Sequence, residues 1–309
     1  MSKTAFLFAG QGAQVIGMGK DLAEAFPAAR DLFDQANTAL DYDLSDICFN
    51  GPEEALTKTE NAQPGIYLVS WVALKLLQAQ VPDLKCDATA GLSLGEFTAL
   101  AAAGAMSFSD GLNIVRLRGR YMQDACDATA GGMAAIIGLD VEATAAVCAE
   151  AKVGIANLNC PGQIVISGNA TGIERACELA KEKGAKRALP LKVAGAYHSP
   201  LMEVAQTKLE AALKDIDIQT PEVRVIANVT GSAHGDADAI RARLVEQVTG
   251  SVRWEESMRL LIADGFTRFI ELGPGNALTG FMRRIDKSVQ ILNVADASSL
   301  EKTVSEIAG

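Results

Sequence analysis

A serine between glycines is the first residue of this sequence whose setting points to chemistry. Ser93 lies in Gly91-Leu92-Ser93-Leu94-Gly95, a G-x-S-x-G pattern that follows a short apolar run and precedes a run of helix formers. Strand, tight turn and helix is the context in which such a serine becomes an exposed nucleophile. The glycines let strand and helix pack closely, and the helix N-terminus points free N–H groups at the reaction site. The alternative is a glycine-bordered turn whose serine only caps a helix.

A serine nucleophile needs a base, and the sequence contains two histidines. His198 lies between Tyr197 and a Ser-Pro pair that begins a predicted helix, at a predicted domain junction where ligands tend to bind. His234 lies in a segment rich in Gly, Asp and Ser, which predicts an exposed loop and a solvated side chain. We therefore predict that His198 is the base. No acid is marked by its position as the third member of a triad.

Arg118 is the charged residue that the pattern places on a buried helix face. The helix is predicted to begin at a capping box, Ser107 to Asp110, and to run to about Gln123. The residues three and four positions away from Arg118 are apolar or aromatic: Ile114, Val115, Tyr121 and Met122. A buried guanidinium needs an anionic partner. That partner is either a carboxylate of the protein or a substrate carboxylate held by two hydrogen bonds.

A glycine-rich segment follows the first predicted strand, Thr4–Phe8. Gly10-Gln11-Gly12 matches neither the dinucleotide nor the Walker pattern, so the segment does not predict a nucleotide site. Ligands bind at this end of parallel strands, and glycines bring a backbone N–H close to a substrate oxygen. A plain strand-to-helix turn is the alternative.

The elements around these residues predict an α/β fold with an insertion. Residues 133–191 read as strand, helix, strand, strand, helix, strand, the ferredoxin-like α+β pattern, between two segments that each read as α/β. We predict a large α/β-hydrolase-like catalytic domain with a parallel sheet, residues 1–127 and 197–309, and a small ferredoxin-like domain, residues 128–196.

Composition narrows the function classes. The 309 residues carry a net charge of −10, which argues against nucleic-acid and anionic-membrane binding. The six cysteines are scattered, as expected for reduced thiols of a cytoplasmic protein, and two histidines make a multi-histidine metal site improbable. The N-terminal apolar run is short and predicts a strand rather than a signal peptide.

Motifs along nearly the whole chain resemble the malonyl-CoA:acyl carrier protein transacylases of bacterial type II fatty-acid synthesis. They occur in order and at the family's spacing: Gly10–Gln14, Gln63-Pro64, Gly91–Glu96, Arg118-Gly119, Asn159–Gln163, Ala196–Met202, Leu244–Gln247 and Glu271–Gly275. The resemblance implies a ferredoxin-like insertion, acyl carrier protein and malonyl-CoA as partners, and no metal or redox cofactor. We expect a monomer.

The resemblance also implies roles for residues. Ser93 is the acylated nucleophile, His198 its base, and Arg118 the residue that binds the malonyl carboxylate. The backbone N–H groups of Gln11 and Leu94 form the oxyanion hole.

Four further residues follow from the resemblance. Gln247 lies beside the histidine, which a backbone carbonyl orients in place of an acid. The residues implied to line the pocket are Asn159, Gln163 and Gln63.

One position departs from the family pattern. Leu92 stands where the family usually has histidine before the nucleophile. The elbow does not need that side chain, although acyl specificity can differ. Two alternatives remain, an acyltransferase of a polyketide-type pathway and a serine thioesterase or esterase. Arg118 argues against the second, because a neutral-ester hydrolase has no use for a buried guanidinium.

Overall fold

The strands form two separate sheets in this computed structural model, which describes residues 2–308. The strands are β1 (Lys3–Phe8), β2 (Ala88–Gly91), β3 (Gly131–Ile137), β4 (Gly154–Cys160), β5 (Gln163–Asn169), β6 (Arg187–Pro190), β7 (Arg224–Ile226), β8 (Phe266–Leu272) and β9 (Gln290–Val294).

Helices cover both sheets. They are α1 (Lys20–Ala25), α2 (Pro27–Leu40), α3 (Leu44–Asn50), α4 (Glu53–Thr57), α5 (Thr59–Gln80), α6 (Gly95–Ala102), α7 (Phe108–Ala128), α8 (Val141–Ala151), α9 (Ala170–Glu182), α10 (Glu203–Leu213), α11 (Ala237–Gln247), α12 (Trp254–Ala263), α13 (Ala277–Ile285) and α14 (Ala297–Ala308).

The larger sheet is parallel, with strand order β7-β2-β1-β8-β9. Central strand β1 is buried from Thr4 to Phe8, which explains its continuous apolar run. Phe8 pairs with Gly91 on one side and with Leu272 on the other. Because parallel strands end at the same edge, the segments after β1, β2, β7 and β8 meet there.

The smaller sheet is antiparallel, with strand order β4-β5-β3-β6. Helices α8 and α9 pack on it around their own apolar core, which includes Ile136, Val147 and Ile166. The structure shows the predicted order of strand, helix, strand, strand, helix, strand. The fold is therefore α/β with a parallel sheet and a separate antiparallel one, as expected at that level.

Two helix bounds and two short helices differ from what the sequence predicts. The apolar run after Gln63-Pro64 predicts a long helix over Gly65–Gln80, yet α5 begins at Thr59 and contains the proline. Its first turns are buried against α7, and the backbone N–H of Thr59 donates to Gln123 Oε1 at 3.0 Å, so tertiary packing outweighs the cost of an internal proline. Helix α7 runs to Ala128 rather than Gln123, and α3 and α13 were not predicted.

Helix α7 continues because its buried face continues. Ala125 and Cys126 are buried, so the helix extends to the domain boundary expected between residues 127 and 128. Helix α5 is buried on nearly every side, which accounts for its uniform hydrophobicity. Within residues 2–308, no helix combines the length and apolarity that crossing a bilayer requires.

Candidate active site

The turn between β2 and α6 presents Ser93 in the left-handed region, with φ of 52°. Strand and helix meet so closely that a Cβ on Gly91 would collide with the backbone of Gly95. A Cβ on Gly95 would collide with the carbonyl oxygen of Phe8 in β1. Both glycines of the G-x-S-x-G pattern are therefore required by close backbone approach, as the sequence predicts.

His198 contacts the serine through Nε2, which lies 2.8 Å from Ser93 Oγ. The Nδ1 atom of the same ring lies 2.8 Å from the carbonyl oxygen of Gln247, so Nδ1 donates and Nε2 is left to accept the serine proton. Burial first, and the charge of Arg118 second, lower the pKa of His198 to about 4, against backbone hydrogen bonds that raise it. The imidazole is therefore neutral at neutral pH, the state a base needs.

Arg118 lies directly behind this pair and is buried, as predicted. Its Nη2 donates to Ser93 Oγ at 3.0 Å and to Gln247 Oε1 at 2.9 Å, and its Nη1 donates to Gln63 Oε1 at 2.7 Å. Among residues 2–308, no carboxylate is in ion-pair contact with the guanidinium. Burial lowers the pKa of Arg118 to about 10, which keeps it charged at neutral pH. The protein thus gives this cation neutral partners only.

Asn228 fixes the backbone of the elbow from the end of β7. Its Oδ1 accepts from the backbone N–H of Ser93 at 2.6 Å, and its Nδ2 donates to the carbonyl of Gly91 at 2.8 Å. The two bonds hold the backbone on both sides of Leu92, directly before the serine, so tertiary contacts support the left-handed conformation of Ser93.

The backbone N–H groups of Gln11 and Leu94 have no acceptor within residues 2–308. Leu94 directly precedes α6, and Gln11 follows the end of β1. Gly10 brings these segments together, since a Cβ there would collide with the carbonyl oxygen of Leu92. This is the arrangement expected of an oxyanion hole.

His234 is not solvated, and that prediction was wrong. Its backbone N–H donates to the carbonyl of Val225 at 2.8 Å, which folds the loop back onto β7. The side chain, 1% exposed, then places Nε2 2.6 Å from Glu96 Oε1. A segment rich in Gly, Asp and Ser can fold into the interior when its backbone has a strand to pair with.

A cavity of about 800 Å³ opens at the serine and lies between the two sheets. Asn159 and Gln163, from β4 and β5, line it together with Tyr197. The Tyr197 hydroxyl lies 2.5 Å from Thr59 Oγ1 and accepts from Gln11 Nε2 at 3.2 Å.

The expectation that Gln63 lines the cavity was wrong. Because α5 begins before Pro64, Gln63 is turned toward α7, fully buried behind Arg118. Gln247 is also fully buried and lies beside His198, as expected.

Two residues of this network were missed from the sequence, Asn228 and Glu96. Asn228 follows the buried strand β7 at the edge where ligands bind, a signal that could have identified it. Glu96 follows the second glycine of the elbow, and a charged residue in an otherwise apolar helix is the corresponding signal. No group of three or more His, Cys, Asp or Glu suited to hold a metal occurs in the described part of the chain.

Comparison with known proteins shows similarity to acyl transferases over nearly the whole chain. The family model for the acyl transferase domain matches residues 5–304. The malonyl CoA-acyl carrier protein transacylase of Bacillus subtilis is 47% identical over 99% of this chain and 98% of its own.

Solved structures are also similar. The acyl-carrier-protein-S-malonyltransferase of Bartonella henselae has a TM-score of 0.94 and 42% identity, over 99% of this chain and 100% of that chain. A malonyl-transacylase in complex with a type II polyketide synthase acyl-carrier protein has a TM-score of 0.94 and 38% identity, over 99% and 100%.

Proposed function

The chain belongs to the acyl transferase family, and we propose that it transfers a malonyl group from malonyl-CoA to the thiol of acyl carrier protein through a malonyl-Ser93 intermediate. The observation that carries this proposal is the guanidinium of Arg118. It is buried, charged and in contact with Ser93 Oγ, and no carboxylate among residues 2–308 forms an ion pair with it. A malonyl group esterified to Ser93 supplies the missing carboxylate.

In the first half-reaction, Ser93 Oγ attacks the thioester carbonyl and its proton moves to His198 Nε2. The negative charge on the carbonyl oxygen is stabilised by the N–H groups of Gln11 and Leu94, each worth about 3 kcal/mol in such sites. When the C–S bond breaks, the CoA sulfur takes the proton from His198. The product is the malonyl ester of Ser93.

In the second half-reaction the thiol of acyl carrier protein attacks this ester. His198 takes the thiol proton and returns it to Ser93 Oγ as the C–O bond breaks. The carbonyl of Gln247 holds the imidazole in one tautomer, which replaces the acid of a triad. The proposed reaction draws on no metal or redox cofactor.

Arg118 also separates the candidate functions. A thioesterase or esterase shares the Ser93–His198 pair but gains nothing from a buried cation beside it. An acyltransferase of a polyketide-type pathway is the second candidate, since the malonyl-transacylase solved with a polyketide carrier protein shares this fold over its full length. The fatty-acid and the polyketide-type acyltransferases differ in the carrier protein that receives the malonyl group.

We also propose a domain architecture, a cellular location and an oligomeric state. The antiparallel strand order of residues 128–196 supports a ferredoxin-like domain inserted into an α/β-hydrolase-like one, residues 1–127 and 197–309. All six cysteines are free thiols, which supports a cytoplasmic location. We propose a monomer, which light scattering tests.

Intact-mass measurement after mixing with malonyl-CoA tests the nucleophile. The wild-type protein should gain one malonyl group and lose it when holo acyl carrier protein is added. Ser93→Ala should gain none and keep its thermal stability, and His198→Ala should acquire the group at least about 100-fold more slowly. A malonyl group on another residue of Ser93→Ala would show that Ser93 is not the nucleophile.

A further inference from the structure

Glu96 and His234 form a buried pair behind the site, outside the residues that carry the proposed reaction. Glu96 is fully buried in the first turn of α6 and does not line the cavity. We propose that Glu96, held by His234, is a positioning residue that orients the Gln247 amide and through it the guanidinium of Arg118, and so contributes to selectivity for malonyl. This inference rests on the proposed function.

Both oxygens of Glu96 are used. Oε1 lies 2.6 Å from His234 Nε2. Oε2 accepts from Gln247 Nε2 at 2.7 Å and from the backbone N–H of Asn228 at 3.1 Å. With three partners from two different segments, the carboxylate has one available orientation.

The carboxylate decides which way the Gln247 amide points. An ionised carboxylate only accepts hydrogen bonds, so the NH₂ group of the amide must face Glu96. The same NH₂ group donates its second hydrogen to the carbonyl of Ser93 at 2.9 Å. The amide oxygen is then left for Arg118 Nη2, at 2.9 Å. A flipped amide would set its NH₂ group against the guanidinium.

Glu96 also helps to keep Arg118 charged without forming an ion pair with it. The negative charge of Glu96 counteracts the effect of burial on Arg118. One amide separates the carboxylate from the guanidinium, so Glu96 forms no ion pair with it. Arg118 therefore remains able to bind a carboxylate that arrives with the substrate.

His234 completes the pair from a fixed position. Its main chain is bonded to Val225, and its ring is enclosed. Without that ring, Glu96 Oε1 loses its hydrogen-bond partner and the carboxylate can rotate away from Gln247.

The test compares kcat/KM for acylation by malonyl-CoA and by acetyl-CoA in Glu96→Gln. An amide has one acceptor oxygen and no charge, so it cannot replace both roles of the carboxylate. We expect malonyl transfer to fall about tenfold or more, the effect of one lost hydrogen bond to a charged group, and acetyl transfer to fall less. Equal losses for the two substrates would overturn the proposal.

Glu271→Gln is the matched control. Glu271 is a carboxyl group of equal burial that also lines the cavity, but its partners are the backbone N–H groups of Leu278 and Thr279, and it contacts neither Gln247 nor Arg118. It should leave the malonyl-to-acetyl ratio unchanged. A ratio that drops as far as in Glu96→Gln would mean that any buried charge has this effect, and would contradict a specific role for Glu96.

The His234 variants carry the test if Glu96→Gln fails to fold. His234→Leu removes the donor and should lower the malonyl-to-acetyl ratio, whereas His234→Gln keeps an N–H group at the position of Nε2 and should preserve it. Equal ratios in the two proteins would remove His234 from the proposal.

A double-mutant cycle tests the route. In an Arg118→Ala background, Glu96→Gln should no longer change the ratio, because its effect passes through the guanidinium. A further drop there would exclude that route. The proposed function and this inference fail on different results. If the wild-type protein does not form malonyl-Ser93, the proposed function is refuted. If Glu96→Gln leaves the malonyl-to-acetyl ratio unchanged, only this inference is refuted.

Discussion

At the scale of single residues, the site combines a neutral base with a permanent cation. Arg118 lies beside Ser93, next to His198, and its charge is the second cause, after burial, of the low pKa of His198. The cation that recognises an acid thereby also keeps the base unprotonated. One residue thus affects both recognition and proton transfer.

The pH dependence of acylation should report this coupling. Because only the neutral imidazole is a base, kcat/KM for acetyl-CoA should stay level from pH 8 to 5 and fall only as pH approaches the His198 pKa of about 4. In Arg118→Ala the acid limb should move upward, toward the ordinary value near 6.5. A wild-type limb near 6.5 would contradict the burial argument.

Arg118→Ala should also change acyl selectivity. Malonyl loses hydrogen bonds worth about 1.5–3 kcal/mol each, whereas acetyl no longer leaves a buried cation unpaired. We expect the malonyl-to-acetyl ratio of kcat/KM to fall by about 100-fold or more. A wild-type ratio in this variant would make Arg118 a purely structural residue.

The sequence predicts residues whose signal is local. Arg118 was placed on a buried face by its helical neighbours, and Ser93 by the glycines beside it. The Glu96–His234 contact joins residues 138 positions apart, so no periodicity or spacing reports it. For the same reason the direct partners of Arg118 could not be chosen from the sequence.

At the scale of elements, the decisive contacts are between backbones. Helix α6 begins against β1, and Gly95 touches the carbonyl of Phe8. Element order was predictable because apolar runs and turn residues alternate clearly. The start of α5 was not, because it depends on packing against α7 rather than on the proline within it.

Two glycine-to-alanine substitutions in helices should have opposite effects on stability. Gly95→Ala forces a methyl group into backbone and should destabilise by about 1–3 kcal/mol or more. Gly280→Ala, in exposed and open surroundings within α13, should stabilise by about 0.5–1 kcal/mol. Urea unfolding midpoints measure both, and a stable Gly95→Ala protein would contradict the close approach.

At the scale of the molecule, the cavity has basic residues near its opening although the chain is acidic overall. Lys192 lines the cavity, and Arg284 donates to Gln163 Oε1 at 2.8 Å. The resemblance to the malonyl-CoA:acyl carrier protein transacylases implies an acidic carrier protein. Local basic groups then steer docking against an unfavourable net charge.

Charge reversal near the opening tests this docking. Arg283 lies beside Arg284 in the last turn of α13. Lys192→Glu and Arg283→Glu should each raise the KM for acyl carrier protein about two- to tenfold and spare acylation by malonyl-CoA. Lys302→Glu, on α14, is the matched control and should change neither. If the KM also stays unchanged in Lys192→Glu and Arg283→Glu, the basic residues are ordinary surface charges.

The hydrogen bonds of the site also set when it can first exist. Those of Ser93 reach His198, Asn228 and Gln247, which lie 105, 135 and 154 positions further along the chain. The bond from Arg118 to Gln247 spans 129 positions. During synthesis or refolding, an elbow made from the first half alone has neither base nor positioned cation. Non-local pairings of this kind form late and slowly. Competence for acylation should therefore appear only with the last step of folding. Formation of the malonyl-Ser93 ester then reports that the whole chain has folded.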